Sequence, residues 1–285
     1  MIAQRNEHQK MLFQILCEFD RICQKYNLKY TLFGGTAIGA ARHKGFVPWD
    51  DDIDVAMLRP EYERFLEVAA AELDPKTYYL QKEFSEHWPM FFSKIRVNNT
   101  ACIECYVPKD LKTHQGVYID IFPIDNLRPG KLGRNLQFLA SKAVIAKSLD
   151  RRGYLTNSKK KKCFMLLCKM LPAKPLRHFC RYRSRNDTQK VHSFFAAASK
   201  YEKNIYPRAW FLQMTKLEFE GREFSISACY DQMLTTIYGD YMTLPSEADR
   251  ACKVHGEIVD LENSYEKYLE TQKTMKFKGQ SRSIR

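Results

Sequence analysis

The sequence lacks the long apolar segment that a membrane-spanning helix requires. Within its 285 residues, no run approaches the roughly 18 apolar residues that cross a bilayer. The start of the chain, Met1 to Lys10, is polar and has no apolar stretch of the kind found in secretory signal peptides. Both absences argue against an integral membrane protein and predict a cytoplasmic location.

The nine cysteines lack the pattern of a disulfide framework or a zinc site. An odd number without a signal peptide favours a reducing compartment, where thiols stay unpaired. Cys102 and Cys105 have the spacing of a zinc knuckle, but no second pair with that spacing follows. A structural zinc ion is therefore not expected.

Acidic residues are scarce in one segment of the chain. Between Ser141 and Lys190 there are fifteen Lys or Arg residues and two acidic ones, Asp150 and Asp187. The difference equals the formal net charge of the whole chain, +13, so the remainder is formally neutral. Such a segment is typical of proteins that bind anionic phospholipid, nucleic acid or an anionic glycan, or of a solvated helical face.

The basic segment also contains an apolar run. Lys159 to Lys162 directly precede Phe164–Leu167, which is the order expected of a helix that lies at a membrane interface. We therefore expect peripheral contact with an anionic membrane, such as the inner face of the plasma membrane, through residues 141–190. Nucleic acid is the weaker alternative, because no known nucleic-acid module is present and few aromatic residues stand between the lysines.

Apolar periodicity divides the chain into helices and strands. Residues 3–26 carry an apolar stripe at intervals of three and four, which predicts a helix. The other predicted elements are a strand at Tyr30–Phe33, a helical turn at Thr36–Ala41, a strand at Asp52–Leu58, a helix from Pro60, strands at 77–82, 90–97, 100–106 and 116–122, basic helices within 131–205, and a helix at Ser227–Tyr238 closed by Gly239.

These elements predict an α/β (α+β) protein with a mixed sheet and four parts. Residues 1–130 form a catalytic core, and 131–205 form a basic helical insertion. Residues 206–271 complete the catalytic unit, and 272–285 form a basic tail.

The segment Asp50–Val55 alternates acidic and apolar residues. In a strand, side chains two apart share a face, so Asp50, Asp52 and Asp54 should point one way and the apolar residues into the core. Like charges on one face repel, and a hard divalent cation with oxygen ligands would relieve that repulsion. A charged turn is the alternative, but it does not explain the alternation that continues to Val55.

A glycine turn lies just before this segment. Phe33–Thr36 reads FGGT and stands between a predicted strand and a predicted helix. Glycines in that position let backbone N–H groups approach a phosphate at the helix N-terminus. Followed by Asp52 and Asp54 on the next strand, the turn is typical of the DNA-polymerase-beta-type nucleotidyltransferase fold.

That fold implies a third carboxylate on a later strand. Asp120 stands alone among apolar residues in Gly116–Pro123, and an isolated buried acid is costly unless it is paired or binds a metal. We prefer Asp120 to Asp125, which follows Pro123 in a predicted turn.

Longer motifs resemble the LicD family of phosphocholine transferases. Residues 35–54, GTAIGAARHKGFVPWDDDID, match the core motif of that family almost throughout. Further blocks of the family are matched by Lys94–Thr100, Ile119–Asp125, Phe219–Gly221, Tyr238–Pro245 and His255. The sequence departs from the family at Ala37 and Ile38, where leucines are usual, and at Ser246, where a second proline is usual.

The resemblance implies transfer of a phosphorylated alcohol, typically phosphocholine, from a CDP-activated donor to a sugar hydroxyl, with release of CMP. The acceptor would be a surface glycan, such as lipopolysaccharide or teichoic acid, or its lipid-linked precursor. CDP-ribitol or CDP-glycerol could replace CDP-choline as the donor.

The same resemblance assigns roles to individual residues. Asp52, Asp54 and Asp120 are expected to be catalytic and to bind one or two Mg²⁺ (or Mn²⁺) ions on the donor diphosphate. The residues expected to contact the donor are Gly34, Gly35, Thr36, Arg42, Lys44, Lys94 and His255, the last only because the family has a histidine there. Arg42 and Lys44 could instead be surface charges on a loop. Aromatic candidates for a choline cage are Trp49, Trp88, Tyr118 and Trp210.

Two other functions fit parts of the sequence. A nucleotidyltransferase that moves NMP from an NTP would use the same aspartates. A basic lipid- or RNA-binding protein on an inactive fold would explain the charge, but it has no need for Asp52, Asp54 and Asp120 together.

Overall fold

The computed structural model describes residues 7–104, 112–151, 156–182, 188–193, 204–246 and 256–269. It shows a mixed α/β architecture, as predicted, with helices packed on a mixed sheet. In chain order the elements are α1 (Glu7–Lys25), β1 (Thr31–Leu32), α2 (Gly34–Ile38), β2 (Asp54–Leu58), α3 (Arg59–Glu72), β3 (Tyr78–Gln81), β4 (Ser93–Val97), β5 (Ala101–Glu104), β6 (Tyr118–Asn126), α4 (Lys131–Arg151), α5 (Lys159–Met170), α6 (Ala173–Cys180), β7 (Lys190–His192), β8 (Ile205–Pro207), β9 (Met214–Phe219), β10 (Arg222–Ser227), α7 (Tyr230–Tyr238) and β11 (Gly256–Asp260).

A seven-stranded sheet forms the centre of the protein. Its main path runs β1-β2-β6-β4-β3, with β7 paired to the end of β6 and β8 paired to β7. β2 and β6 are parallel, whereas β1 and β4 are antiparallel to their neighbours. Eight of the nine residues of β6 are buried, because a central strand is covered on both faces of its sheet.

The first helix forms because its apolar residues fall on one face. Leu12, Ile15, Leu16, Phe19 and Ile22 are at most 1% exposed in α1, which confirms the helix predicted from their spacing over residues 7–25. Burying each such side chain contributes about 1.5–3 kcal/mol relative to leaving it exposed.

The prediction that the chain turns after Pro123 is wrong. β6 continues to Asn126, and Asp125 is a buried residue on it. Proline is tolerated there because pairing with β4 ends at Ile121 and pairing with β7 begins at Asp125, so Pro123 lies where the β4/β7 side of β6 is not paired. Proline usually interrupts a strand, and the sequence alone does not show which edge of β6 is paired at Pro123.

Asp125 belongs to a buried ion-pair network rather than to the acidic segment. The Arg59 guanidinium donates from Nε to Asp125 Oδ1 at 2.7 Å, from Nη2 to Asp125 Oδ2 at 2.8 Å, and from Nη1 to Glu83 Oε1 at 2.7 Å. Arg181 of the helical region contacts the same Glu83 oxygen at 2.7 Å. Despite burial, the charge of Arg59 holds the pKa of Asp125 below its usual value. The network thus connects the sheet to the region beyond α6.

The basic segment is helical only in part. α4, α5 and α6 occupy Lys131 to Cys180, as predicted, but β7 and β8 are strands, so the expectation of helix up to residue 205 is wrong there. Their three-residue length left no periodicity to detect. In the described part of the chain, no helix is long and apolar enough to cross a membrane.

The end of the chain adds a hairpin that the sequence analysis did not predict. β9 and β10 pair through a two-residue turn with φ of 54° at Glu220 and 79° at Gly221, the left-handed conformation that such turns require. The helix predicted at Ser227–Tyr238 begins only at Tyr230, but it ends as predicted at Gly239, where φ is 79°. The predicted tail, 272–285, lies outside the described residues.

Candidate active site

The glycine turn lies directly against two aspartates. At Gly34, where φ is +55°, an added Cβ would stand 2.5 Å from Asp54 Oδ2, and at Gly35 it would stand 2.2 Å from Asp50 Oδ2. Both distances are far below any normal carbon–oxygen contact. Glycine is therefore required at both positions for the two carboxylates to reach the first turn of α2.

Backbone hydrogen bonds fix this turn to the start of β2. The Phe33 N–H donates to the Asp54 carbonyl oxygen at 3.0 Å. The Asp54 N–H donates to Thr36 Oγ1 at 2.8 Å, and Thr36 is buried. Thr36 thus holds Asp54 by its backbone, whereas its predicted contact with a ligand phosphate stays a prediction.

The acidic segment is less regular than predicted. β2 begins at Asp54 rather than Asp52, so the residues before it are not held in one strand. Ile53 and Val55 are fully buried, as predicted. The carboxylate oxygens of Asp50, Asp51 and Asp52 lie within 4.8 Å of one another. Asp51, which alternation would have pointed away, therefore belongs to the same acidic group.

Parallel pairing of β2 and β6 brings Asp120 beside this group. Asp54 is directly opposite Asp120 in the register, and the Asp120 N–H donates to the Ile53 carbonyl oxygen at 2.8 Å. Asp120 is 8% exposed. We call Asp50, Asp51, Asp52, Asp54 and Asp120 the acid cluster.

Burial and neighbouring charges raise the pKa values of two carboxylates in the acid cluster. Burial raises the pKa of Asp54 well above its usual value, and the charges of Asp52, Asp120 and Asp50 raise it further. Burial also raises the pKa of Asp120 to about 6, against the opposing effect of the Lys94 ammonium. A cation that binds between carboxylates with raised pKa values stabilises their charged form.

Lys94 provides a fixed positive charge next to Asp120. Its Nζ lies 2.9 Å from Asp120 Oδ1, 3.4 Å from Glu104 Oε1 and 3.2 Å from the centre of the Tyr118 ring. The side chain is 1% exposed, and β4–β6 pairing places Lys94 opposite Asp120. Its predicted contact with donor phosphate is therefore still a prediction, since its observed partners are protein acids.

Arg96 on the same strand is also buried and paired. It donates from Nε to Gln81 Oε1 and from Nη1 to the Gly116 carbonyl oxygen, both at 2.8 Å. Its Nη2 lies 3.6 Å from Glu104 Oε2. Glu104 thus balances two buried cations, and sequence reasoning missed it. Glu104, like Asp120, is a single acidic residue next to apolar ones in a predicted strand, and this pattern was visible in the sequence.

The core motif and the closing blocks meet in space. Arg42 donates from Nη1 to the Tyr241 carbonyl oxygen at 2.5 Å. The Phe46 N–H donates to Glu220 Oε1 at 3.0 Å, and a Cβ on Gly45 would stand 2.4 Å from that oxygen. The core motif and the closing blocks, 174 and 199 residues apart at these two hydrogen bonds, therefore contact each other directly.

The remaining candidates are placed as follows. Lys44 has a 75% exposed side chain, with Nζ 3.6 Å from Glu218 Oε2. Trp88 and Tyr118 are buried around Lys94, and Trp210 packs near Tyr206. His255 lies outside the described residues, although the N–H of the next residue, Gly256, donates to Asp51 Oδ2 at 3.4 Å.

Two residues near the acid cluster were not predicted. His8 at the start of α1 has a pKa lowered by burial and partly restored by the charges of Asp51 and Asp52. Tyr238 at the end of α7 also interacts with the charges of Asp54, Asp50 and Asp52, although it is 45% exposed. His8 lies in no motif, whereas Tyr238 begins the block Tyr238–Pro245 without a role assigned to it, and the three-dimensional fold brings both to the acids.

The donor set of the acid cluster fits a hard divalent cation. All five side chains offer carboxylate oxygens, which are the ligands that Mg²⁺ and Mn²⁺ prefer. Three of them already lie within 4.8 Å of one another, and their mutual repulsion is the cost that a cation would remove. The assignment of metal binding to Asp52, Asp54 and Asp120 stays a prediction.

Comparison with known proteins adds an independent finding. The family model described as LicD/FKTN/FKRP, nucleotidyltransferase domain, matches residues 27–138. A Haemophilus influenzae protein named lipopolysaccharide cholinephosphotransferase LicD is 30% identical over 253 residues, which cover 86% of this chain and 93% of that protein. An uncharacterized protein of Rickettsia typhi is 33% identical over 57 residues, 20% of this chain and 18% of its own. One of Rickettsia prowazekii is 36% identical over 50 residues, 18% of this chain and 19% of its own.

Proposed function

Because this chain belongs to the LicD family, we propose that it is a transferase that moves phosphocholine onto a sugar hydroxyl of lipopolysaccharide or its lipid-linked precursor. The observation that carries this proposal is the extent of one match. Similarity to the protein named lipopolysaccharide cholinephosphotransferase spans 93% of that protein. It also covers 86% of this chain, so it extends well beyond residues 27–138, which the family model matches.

We propose CDP-choline as the donor. The oxygen of the sugar hydroxyl attacks the phosphorus that carries choline. The bond from that phosphorus to the bridging oxygen breaks, and CMP leaves with the bridging oxygen. The hydroxyl proton passes to a carboxylate of the acid cluster. This reaction needs in-line positioning and neutralisation of charge more than covalent help from the protein.

The acid cluster supports a role for divalent metal in this reaction. Asp52, Asp54 and Asp120 would hold one or two Mg²⁺ (or Mn²⁺) ions. Bound there, the metal would offset the charge of the donor diphosphate and stabilise the leaving phosphate. Asp50, at Gly35 of the turn, would fix the position of the neighbouring carboxylates.

The chain's own residues would orient the donor. The backbone of Gly34 and Gly35 lies directly against the carboxylates of Asp54 and Asp50, and we propose that its N–H groups contact a donor phosphate. Lys94 would keep the Asp120 carboxylate in position through its 2.9 Å ion pair. Arg42, Lys44 and His255 are the proposed further contacts to phosphate.

The arrangement of the core supports the more specific proposal of a DNA-polymerase-beta-type nucleotidyltransferase fold. A glycine turn opens α2, and parallel strands β2 and β6 carry Asp54 and Asp120 at one level of the sheet. Transfer of NMP from an NTP is the alternative reaction, and the name of the matching family model, nucleotidyltransferase domain, is the observation that favours it.

Release of CMP from CDP-alcohols, or of pyrophosphate from ATP, tests these proposals. Purified protein would be incubated with Mg²⁺, a lipopolysaccharide extract and CDP-choline, CDP-ribitol, CDP-glycerol or ATP. We expect CMP from CDP-choline with wild type and with the surface variant Glu86→Gln, and none with Asp54→Asn. Release of CMP from another CDP-alcohol would show that the protein uses a different donor. Transfer from ATP alone would show that the reaction is nucleotidyl transfer.

A further inference from the structure

α5 presents an apolar surface to solvent. Within the helix only Cys168 is buried, and Met165 is half-buried. Leu166, Leu167 and Met170 are 64%, 60% and 83% exposed. Large apolar side chains that are exposed together usually mark a binding surface.

The opposite side of α5 is firmly attached to the protein. Cys168 packs against Ala143 and Ala146 of α4, and Lys147 Nζ donates to the carbonyl oxygens of Cys168 at 3.0 Å and Lys169 at 2.9 Å. The orientation of the helix is therefore set by packing. Its apolar outer side is not the result of an unattached segment.

The exposed apolar residues occupy one continuous arc of the helix. At 100° per residue, they span less than half of the circumference, and the centre of this arc lies opposite to the half-buried Met165. These outward residues are Cys163, Phe164, Leu166, Leu167, Met170 and Leu171. We call them the outer face of α5.

Positive charge lies next to the outer face, mainly at the N-terminal end of α5. The twelve residues of α5 include five lysines and no acidic residue. Four of these, Lys159 to Lys162, form the first turn and are all exposed. The fifth, Lys169, pairs with Asp150 at 2.8 Å, so the uncompensated charge is concentrated at the N-terminal end of the helix.

α4 has an exposed apolar stripe of its own. Leu132, Leu136 and Leu139 continue, at spacings of four, three and four, the stripe that reaches Ala143 under α5. Their exposed fractions are 73%, 46% and 55%. The stripe thus changes from exposed to buried where α5 begins to cover it.

We propose that α5 binds the surface of an anionic phospholipid membrane, with its outer face among the lipid headgroups and Lys159–Lys162 against the lipid phosphates. Leucine and methionine on one side with lysines beside them match such a surface in both polarity and charge. A second copy of the same helix would bring lysine against lysine, with no acidic residue in α5 to pair with it. The proposal stands independently of the transferase reaction.

Sedimentation with lipid vesicles tests the proposal on the full chain. The vesicles would contain phosphatidylcholine alone or phosphatidylcholine with phosphatidylglycerol in a three-to-one ratio. Since each lysine near an anionic surface contributes about 1 kcal/mol, we expect binding to anionic vesicles to exceed binding to neutral ones by at least about tenfold. The excess should fall as salt is added.

Two variants separate the apolar and the charged contributions. Leu167→Ser with Met170→Ser should weaken vesicle binding by at least about tenfold. Changing Lys159–Lys162 to Gln should reduce binding to the level of neutral vesicles. All of these side chains are exposed, so melting temperature should be unchanged.

Matched controls carry the same changes elsewhere on the surface. Leu212→Ser with Leu244→Ser removes two other exposed leucines. A second control changes four exposed lysines outside the basic segment to Gln, namely Lys76, Lys82, Lys112 and Lys216. Both controls should bind anionic vesicles about as well as wild type. Equal losses in test and control variants would overturn the proposal. A dimer in ultracentrifugation that the Leu167/Met170 variant dissociates, without vesicle binding by wild type, would assign the outer face to a second copy instead.

Discussion

Removing one charge from the acid cluster should stabilise the protein when no divalent cation is present. Two unit charges at most 4.8 Å apart, as in Asp50–Asp52, repel by at least about 1 kcal/mol in bulk water and about 3 kcal/mol at an effective dielectric constant near 20. Asp54 is next to this group; burial raises its pKa most, and the charges of Asp52, Asp120 and Asp50 raise it further. We therefore expect Asp54→Asn to raise the free energy of unfolding by about 1–3 kcal/mol in EDTA, toward the lower end because the cluster is half-exposed.

Thermal unfolding in EDTA and in Mg²⁺ measures this effect. In a domain of this size, 1–3 kcal/mol corresponds to roughly 2–10 °C in melting temperature. Mg²⁺ should stabilise the wild type, because it binds the folded cluster, and should have little effect on Asp54→Asn. Glu86→Gln removes one charge from a side chain that is 86% exposed and should change neither value. The reasoning is refuted if Asp54→Asn lowers the melting temperature in EDTA, or if Mg²⁺ stabilises both proteins equally.

Three further predictions follow from the same contacts. In EDTA, the stability advantage of Asp54→Asn should be small below about pH 4 and should grow as pH rises above that value. Because the Asp54 pKa is raised in the folded wild type, the unfolded chain loses its proton first, and the wild type loses stability from the ordinary carboxyl pKa up to the raised one; a constant advantage from pH 4 to 8 would contradict this. Gly35→Ala should abolish the Mg²⁺-dependent rise in melting temperature, because its Cβ would overlap Asp50 Oδ2, whereas Gly133→Ala, with its nearest contact at 3.4 Å, should retain it. Arg59→Met should lower the free energy of unfolding in urea by about 3–5 kcal/mol, since it leaves the buried Asp125 without its cation and Glu83 with Arg181 alone; a loss below about 1 kcal/mol would show that the network is not needed for stability.

The elements that the sequence predicted well are those with long, regular patterns. The spacing of apolar residues in α1, and Gly239 at the end of α7, are local signals that the tertiary structure does not override. The short strands β7 and β8 and the pairing that accommodates Pro123 were not predictable, because they depend on partners far away in the chain. Strand boundaries were not predictable for the same reason, because β2 begins at Asp54, where its pairing with β6 begins.

In the candidate site, too, the sequence predicted local patterns better than long-range contacts. The glycine turn and the aspartates of the acidic segment were found from sequence, because their spacing is itself unusual. Sequence analysis also named Asp120, and the parallel register puts it opposite Asp54. His8 was missed because it lies in no motif and reaches the site only through the fold. Glu104 and Tyr238 lie in a predicted strand and in a matched block, but nothing in either segment indicates that their side chains reach the acids.

Identifying which phosphorus of CDP-choline is transferred to the glycan tests the proposed reaction most directly. Two preparations of CDP-choline would be used, one labelled on the phosphorus next to choline and one on the phosphorus next to cytidine. Each would be incubated with the protein, Mg²⁺ and lipopolysaccharide. We expect label in the glycan only from the choline-side phosphorus, with the cytidine-side label recovered in CMP. Cytidine-side label in the glycan would contradict phosphocholine transfer and show that the acid cluster catalyses nucleotidyl transfer.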